Sequence, residues 1–184
     1  YKPRIDADYL AAHSEGLICT SGCLAAELPA LIKTGRVEQA VERLHWYRDV
    51  FGPERWYVEF QEHDIPELTQ VNRQLFEFAT RYDVPMIVTN DVHYVKAQDA
   101  DPHDVLLCVQ TSSLVAHEKR LRYGSTYFLK SLEQMRQTFL PLADLPDSAF
   151  SNTVKIADMC DVDPEDGTYH LPDIDIPEDF TYET

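Results

Sequence analysis

The sharpest chemical spacing in the sequence is Asp91-Val92-His93, set within Thr89-Asn90-Asp91-Val92-His93-Tyr94. Residues i and i+2 of an extended chain point the same way. A carboxylate and an imidazole placed so can share one divalent cation. The bland alternative is a turn aspartate beside a surface histidine. Cys23 is a second candidate. It ligates as a thiolate, which a neighbouring cation or metal would stabilise; otherwise it is a small buried hydrophobe. Glu62 and His63 form a third group, open between the rim of a metal site and hydrogen bonding at a helix start. His13, His45, His103, His117 and His170 read as surface residues. There is no Gly-rich phosphate loop and no G-x-S-x-G elbow.

Each candidate follows a segment that reads as a strand. Leu17-Ile18-Cys19 is a short apolar run closed by Ser21-Gly22. Trp56 to Phe60 is aromatic and β-branched. Met86-Ile87-Val88 is fully apolar, as in a buried parallel strand. Helices are expected near 24–33, stopped by Gly35, and from Val37 to Phe51, where apolar residues recur at helical spacing until Gly52-Pro53. Asp64-Ile65-Pro66-Glu67 predicts a capping box before a helix bearing Leu68, Val71, Leu75 and Phe78 on one face. Further helices are expected near 102–110 and 147–159, and 111–124 reads as a long loop. Strands alternating with helices imply an α/β fold with parallel pairing, in which functional residues gather at strand C-terminal ends.

Composition narrows the classes. The 184 residues suffice for one domain with a core. The net charge of −16 opposes non-specific attraction to nucleic acid. Ten acidic residues and no Lys or Arg lie between Asp158 and Thr184, so the rest carries only about −6. With Pro164, Pro172 and Pro177, residues 158–184 read as an acidic connector or solvated tail. Cys19, Cys23, Cys108 and Cys160 show no CxxC pair, and no secretion signal precedes them, so free thiols in a reducing cytoplasm are expected. No apolar run is long enough to span a membrane. The chain does not begin with Met and reads as a piece of something longer.

Several stretches resemble the PHP (polymerase and histidinol phosphatase) domains of bacterial DNA polymerase III alpha subunits. They run in family order over nearly the whole chain. Gly16-Leu17-Ile18 through Ser21-Gly22-Cys23-Leu24-Ala25-Ala26-Glu27-Leu28-Pro29 is one. Val58-Glu59-Phe60-Gln61-Glu62-His63 and Thr89-Asn90-Asp91-Val92-His93-Tyr94 are others. His103-Asp104-Val105-Leu106-Leu107-Cys108 and Tyr127-Phe128-Leu129-Lys130-Ser131 continue the series. The departures are Ala26, Asp64 and Ser112-Ser113, where the family usually has Gly, Gly and Gly-Lys.

The resemblance implies a partial (β/α) barrel of PHP type, with 1–157 its C-terminal portion and 158–184 leading toward a polymerase region. It implies that Cys23, Asp91 and His93 are the last of the family's metal ligands, with His63 at the rim and not a ligand; His63 and Glu62 are expected at the rim or just behind the ligands. The cofactor of an intact domain would be Zn, Mn or Mg, and the fragment alone would bind none and be inert. The implied activities are DNA polymerisation elsewhere in the parent and a metal-dependent 3′→5′ proofreading exonuclease here. A metal-free scaffold and a stand-alone phosphoesterase are the alternatives. The implied partners are DNA and other replicase subunits. Exposed strand edges would let the fragment self-associate.

Overall fold

The computed structural model describes residues 4–142, 144–162 and Gly167. Ten elements follow in order: α1 (Ala7–Ala12), β1 (Cys19–Thr20), α2 (Glu27–Lys33), α3 (Val37–Phe51), β2 (Trp56–Phe60), α4 (Pro66–Arg81), β3 (Met86–Val88), α5 (Ala100–Gln110), α6 (Leu132–Thr138) and α7 (Asp147–Met159). Single 3-10 turns precede α5 and follow α6.

The three strands form a parallel sheet in the order β1-β2-β3. Cys19 pairs with Trp56, and Val58, Glu59 and Phe60 pair with Met86, Ile87 and Val88. Parallel neighbours need a crossover, which α2–α3 and α4 supply. β2 alternates its faces. Trp56, Val58 and Phe60 enter the main core with Leu44, Leu75 and Phe78 from the helices. Glu59 turns to the opposite face and ties the strands together. Its carboxylate accepts from Thr20 Oγ1 at 2.5 Å, Thr89 Oγ1 at 2.5 Å and Gln61 Nε2 at 3.1 Å.

The mixed α/β class with parallel strands and flanking helices is as expected. Two local readings are corrected. The helix predicted from Leu24 begins only at Glu27. Gly22 at φ +70 turns the chain first, and a Cβ there would lie 3.0 Å from that of Ala26. The capping box at Asp64 does not form: the N-cap of α4 is Ile65, with no side-chain cap bond. Asp64 instead adopts φ +57, a left-handed conformation that points its backbone N–H at Glu62.

α1 and α6 were not foreseen. α6 had a legible signal, the Ser131…Gln134 capping box, in which each side chain accepts from the other's backbone N–H. α7 covers part of the outer edge of β3, where Asn152 donates its amide to the Met86 carbonyl at 2.8 Å. Of the acidic segment 158–184, all but 158–162 and Gly167 lies outside the described residues.

Candidate functional site

Asp91 and His93 follow β3, with a bend at His93, and their side chains meet. Asp91 Oδ2 lies 3.3 Å from His93 Nε2. This is a contact and not an aligned hydrogen bond, for Nε2 is buried without a hydrogen-bond partner. Metal bonds of about 2.0–2.2 Å at a near-tetrahedral angle place neighbouring donors about 3.4 Å apart. The pair therefore fits two ligands of one divalent cation. It is only two donors: among the described residues, no three or more His, Cys, Asp or Glu side chains are grouped to hold a metal.

Cys23 lies in the turn after β1 and is exposed. It is not the buried packing thiol of the bland alternative. Neither is it gathered with Asp91 and His93 into a three-donor set.

Glu62 and His63 follow β2, and the structure separates their roles. Glu62 is 4% exposed and is a structural acceptor. It takes the backbone N–H of His63 and of Asp64, both at 3.1 Å, the Thr69 hydroxyl at 2.9 Å and the Asn72 amide. Four donors on one carboxylate fix the turn that presents His63. The His63 ring meets Thr126 Oγ1 at Nδ1, 3.2 Å away, and its Nε2 is buried with no partner. Burial first, then the Lys130 ammonium, push its pKa from the ordinary 6.5 down to about 4.

The long irregular segment after α5 closes over these residues, which its lack of periodicity could not reveal. Arg120 pins it to α5 by a bidentate pair with Asp104, both bonds 2.5 Å. His93 N–H donates to the Tyr127 carbonyl at 2.8 Å, and Tyr94 bridges to Phe128. Tyr127 stacks on His63 and Tyr123 on His93, each with centroids 3.9 Å apart. His103, read from sequence as a surface residue, lies 5.7 Å from His93 by ring centroids and joins this aromatic group. His13 and His117 are exposed as expected, His45 packs edge-on against Tyr82, and His170 lies outside the described residues.

Lys130 was not singled out by chemistry in the sequence. Its Nζ donates to Asn90 Oδ1 at 2.9 Å and to the Thr126 carbonyl, and Asp64 is the carboxylate that acts on it. Burial lowers its pKa.

A parallel sheet with a carboxylate–imidazole pair beyond a strand C-terminus, walled by a returning loop, defines an α/β protein with a candidate metal-binding rim. Residues 1–63 match the family model described as "PHP domain". The chain is 42% identical over 184 residues to DNA polymerase III subunit alpha of Thermus aquaticus, covering 98% of this chain and 15% of that protein. It is 39% identical to the Deinococcus radiodurans subunit and 41% identical to that of Treponema pallidum, over 97% and 98% of this chain. The chain is thus related to the DNA polymerase III alpha subunits and carries PHP-domain sequence, as the motifs indicated. It spans 14–15% of the length of these curated relatives.

Proposed function

We propose that the chain is the C-terminal part of the PHP region of a replicative DNA polymerase III alpha subunit. In the intact parent this region would be a metal-dependent 3′→5′ proofreading exonuclease. The observation that carries the site is the Asp91–His93 pair, two donors of suitable type at 3.3 Å with the imidazole nitrogen otherwise unpartnered. Cys23, exposed in the turn after β1 and separated from β3 by the central strand β2, would be the third ligand of this chain once upstream residues complete the cage.

The partial (β/α) barrel is supported by the open parallel sheet. Beside β3 and α7 lies an open cleft of about 930 Å³, walled by Val88, Val92, Leu129, Met135 and Phe150. Such apolar walls suit a neighbouring element of a larger barrel. The sheet edges would also be where the isolated chain self-associates, although Asn152 blunts the β3 edge. The proposed domain limits are 1–157 for the PHP portion and 158–184 for the connector. DNA and other replicase subunits are the partners, in the cytoplasm. No helix among the described residues is long and apolar enough to cross a membrane.

A divalent cation held here would polarise a phosphoester and neutralise developing charge. Asp91 and His93 would hold and orient it, and the Tyr123 and Tyr127 rings would exclude water from one side. With two grouped donors, the chain alone is inert in this reading. That same incompleteness favours the second reading, a metal-free scaffold for the polymerase.

The test uses the full-length parent. Asp91→Asn and His93→Ala should weaken mismatch excision at least tenfold and lower bound metal, while leaving nucleotide incorporation within about twofold and the melting profile intact. Unchanged excision with intact melting would remove the nuclease reading and leave the scaffold.

A further inference from the structure

We propose that Lys130 and His63 form a phosphodiester-recognising edge beside Asp91 and His93, which seats one backbone phosphate of a single nucleic-acid strand. This rests on the reading of the site as phosphoester-directed, and names the groups that hold its substrate.

The first observation is a cation with no ion pair among the described residues, Asp64 acting on it only from beyond salt-bridge distance. Lys130 is half-buried, and among the described residues no carboxylate lies within salt-bridge distance of it. Its ammonium is held instead by two neutral acceptors, Asn90 Oδ1 and the Thr126 carbonyl. An ammonium has three donors, so one hydrogen remains unused. A partly desolvated charge in this state gains more from an anion than an exposed lysine does.

The second observation is independent of the first. His63 Nε2 is buried in a residue only 8% exposed and has no hydrogen-bond partner among the described residues. When the Thr126 hydroxyl donates to Nδ1, Nε2 carries the hydrogen and is an unsatisfied donor. Buried donors of this kind are rare unless something arrives to meet them. Thr126 joins both groups, through its hydroxyl to His63 and its carbonyl to Lys130. Asn90, which holds Lys130, directly precedes the metal-ligand candidate Asp91 in the chain.

Charge in the neighbourhood agrees with an anionic guest. The chain carries −16, yet residues 111–131 hold Lys119, Arg120, Arg122 and Lys130 against Glu118, with Arg120 already paired to Asp104. Two carboxylates oppose the guest, Asp64 and Asp91, both close enough to act on His63. Without metal both keep their charge, and the Lys130 ammonium and the His63 N–H must outweigh them. A phosphodiester, with one charge and two free oxygens, matches one ammonium and one imidazole N–H. Tyr123 and Tyr127 add ring faces alongside, the combination that single strands use.

The experiment is an NMR titration of the 184-residue chain in EDTA with the dinucleotide TpT, with thymidine and inorganic phosphate as comparison probes. TpT should shift His63 Nε2, the Thr126 amide and Lys130 Nζ saturably, and thymidine should not. Lys130→Met should weaken TpT binding at least tenfold, and Lys130→Arg should stay within threefold of wild type. His63→Asn should weaken it by a smaller factor. Equal TpT affinity in Lys130→Met, equal shifts with thymidine, or binding of inorganic phosphate without TpT would each overturn the proposal. The wild-type shift map decides the matter even if a variant fails to fold. Metal plays no part in this readout. Loss of mismatch excision in Asp91→Asn with no TpT contact at Lys130 would reject this edge and keep the metal site. TpT binding at Lys130 with unchanged excision in Asp91→Asn would do the reverse.

Discussion

The imidazole of His63 lies flat on the phenol ring of Tyr127, with centroids 3.9 Å apart and planes inclined by 5°. This contact fastens the irregular segment after α5 onto the turn after β2. Removing it should therefore loosen a loop as well as a ring pair. Tyr127→Ala is expected to cost about 1–3 kcal/mol, from lost stacking and lost apolar burial together. Tyr127→Phe keeps the ring and should stay within about 0.5 kcal/mol of wild type. Urea unfolding of the three proteins checks both values, and equal losses in the two variants would contradict a stacking role.

His63 makes stability depend on pH in a defined window. Its pKa falls from the ordinary 6.5 to about 4 because burial disfavours the charged ring and Lys130 repels it. Between these values the unfolded chain binds a proton that the folded chain does not. Stability is then fully present above pH 6.5 and declines as pH falls toward 4. The difference between wild type and His63→Asn isolates this contribution from the carboxylates. The two stability profiles should converge toward pH 4 and separate above 6.5. A His63 ring titrating near 6.5 by NMR would contradict the geometry.

Asp64 and Ser112 hold left-handed backbone, at φ +57 and +53. These are two of the positions at which the sequence departs from the motifs it resembles, where glycine would be expected. A residue with a Cβ is strained there, whereas glycine is not. Ser112→Gly should stabilise the chain by roughly 0.5–1 kcal/mol, the relief of strain exceeding the added freedom of the unfolded chain. Asp64→Gly should do the same and also remove a carboxylate facing His63 and Lys130. Thermal melting reads both, and a drop in Tm for Ser112→Gly would show that its side chain supports the turn.

The four thiols should react in two classes. Cys23 and Cys160 are exposed, Cys108 is buried, and burial pushes the Cys19 thiol up to about 11. At pH 8, Cys19 should alkylate roughly a hundredfold more slowly than an ordinary exposed thiol, because so little thiolate is present. Mass spectrometry after brief iodoacetamide treatment should find Cys23 and Cys160 modified first. In the full-length parent, divalent metal should protect Cys23 if it is a ligand, and leave Cys160 as reactive as before.

Much of this architecture was legible in local pattern. The apolar recurrence from Val37 to Phe51, closed by Gly52, gave α3 with both its ends. The run Met86-Ile87-Val88 gave β3. The i, i+2 spacing of Asp91 and His93 was legible, but the bend at His93 and the bond from its N–H to the Tyr127 carbonyl, which accompany their approach, were not. The part Glu62 plays in holding the turn at His63 was not legible, because sequence shows a carboxylate but not the four donors that converge on it. Lys130, Tyr123, Tyr127 and His103 were invisible as site residues for a related reason. They reach the site by the return of a segment without periodicity, whose path is decided by Arg120 on Asp104 and by Tyr94 beside Phe128. Sequence period reports which face of an element is apolar. It carries no information about where an aperiodic loop closes, because that depends on packing between residues far apart in the chain, and only the tertiary structure supplies it.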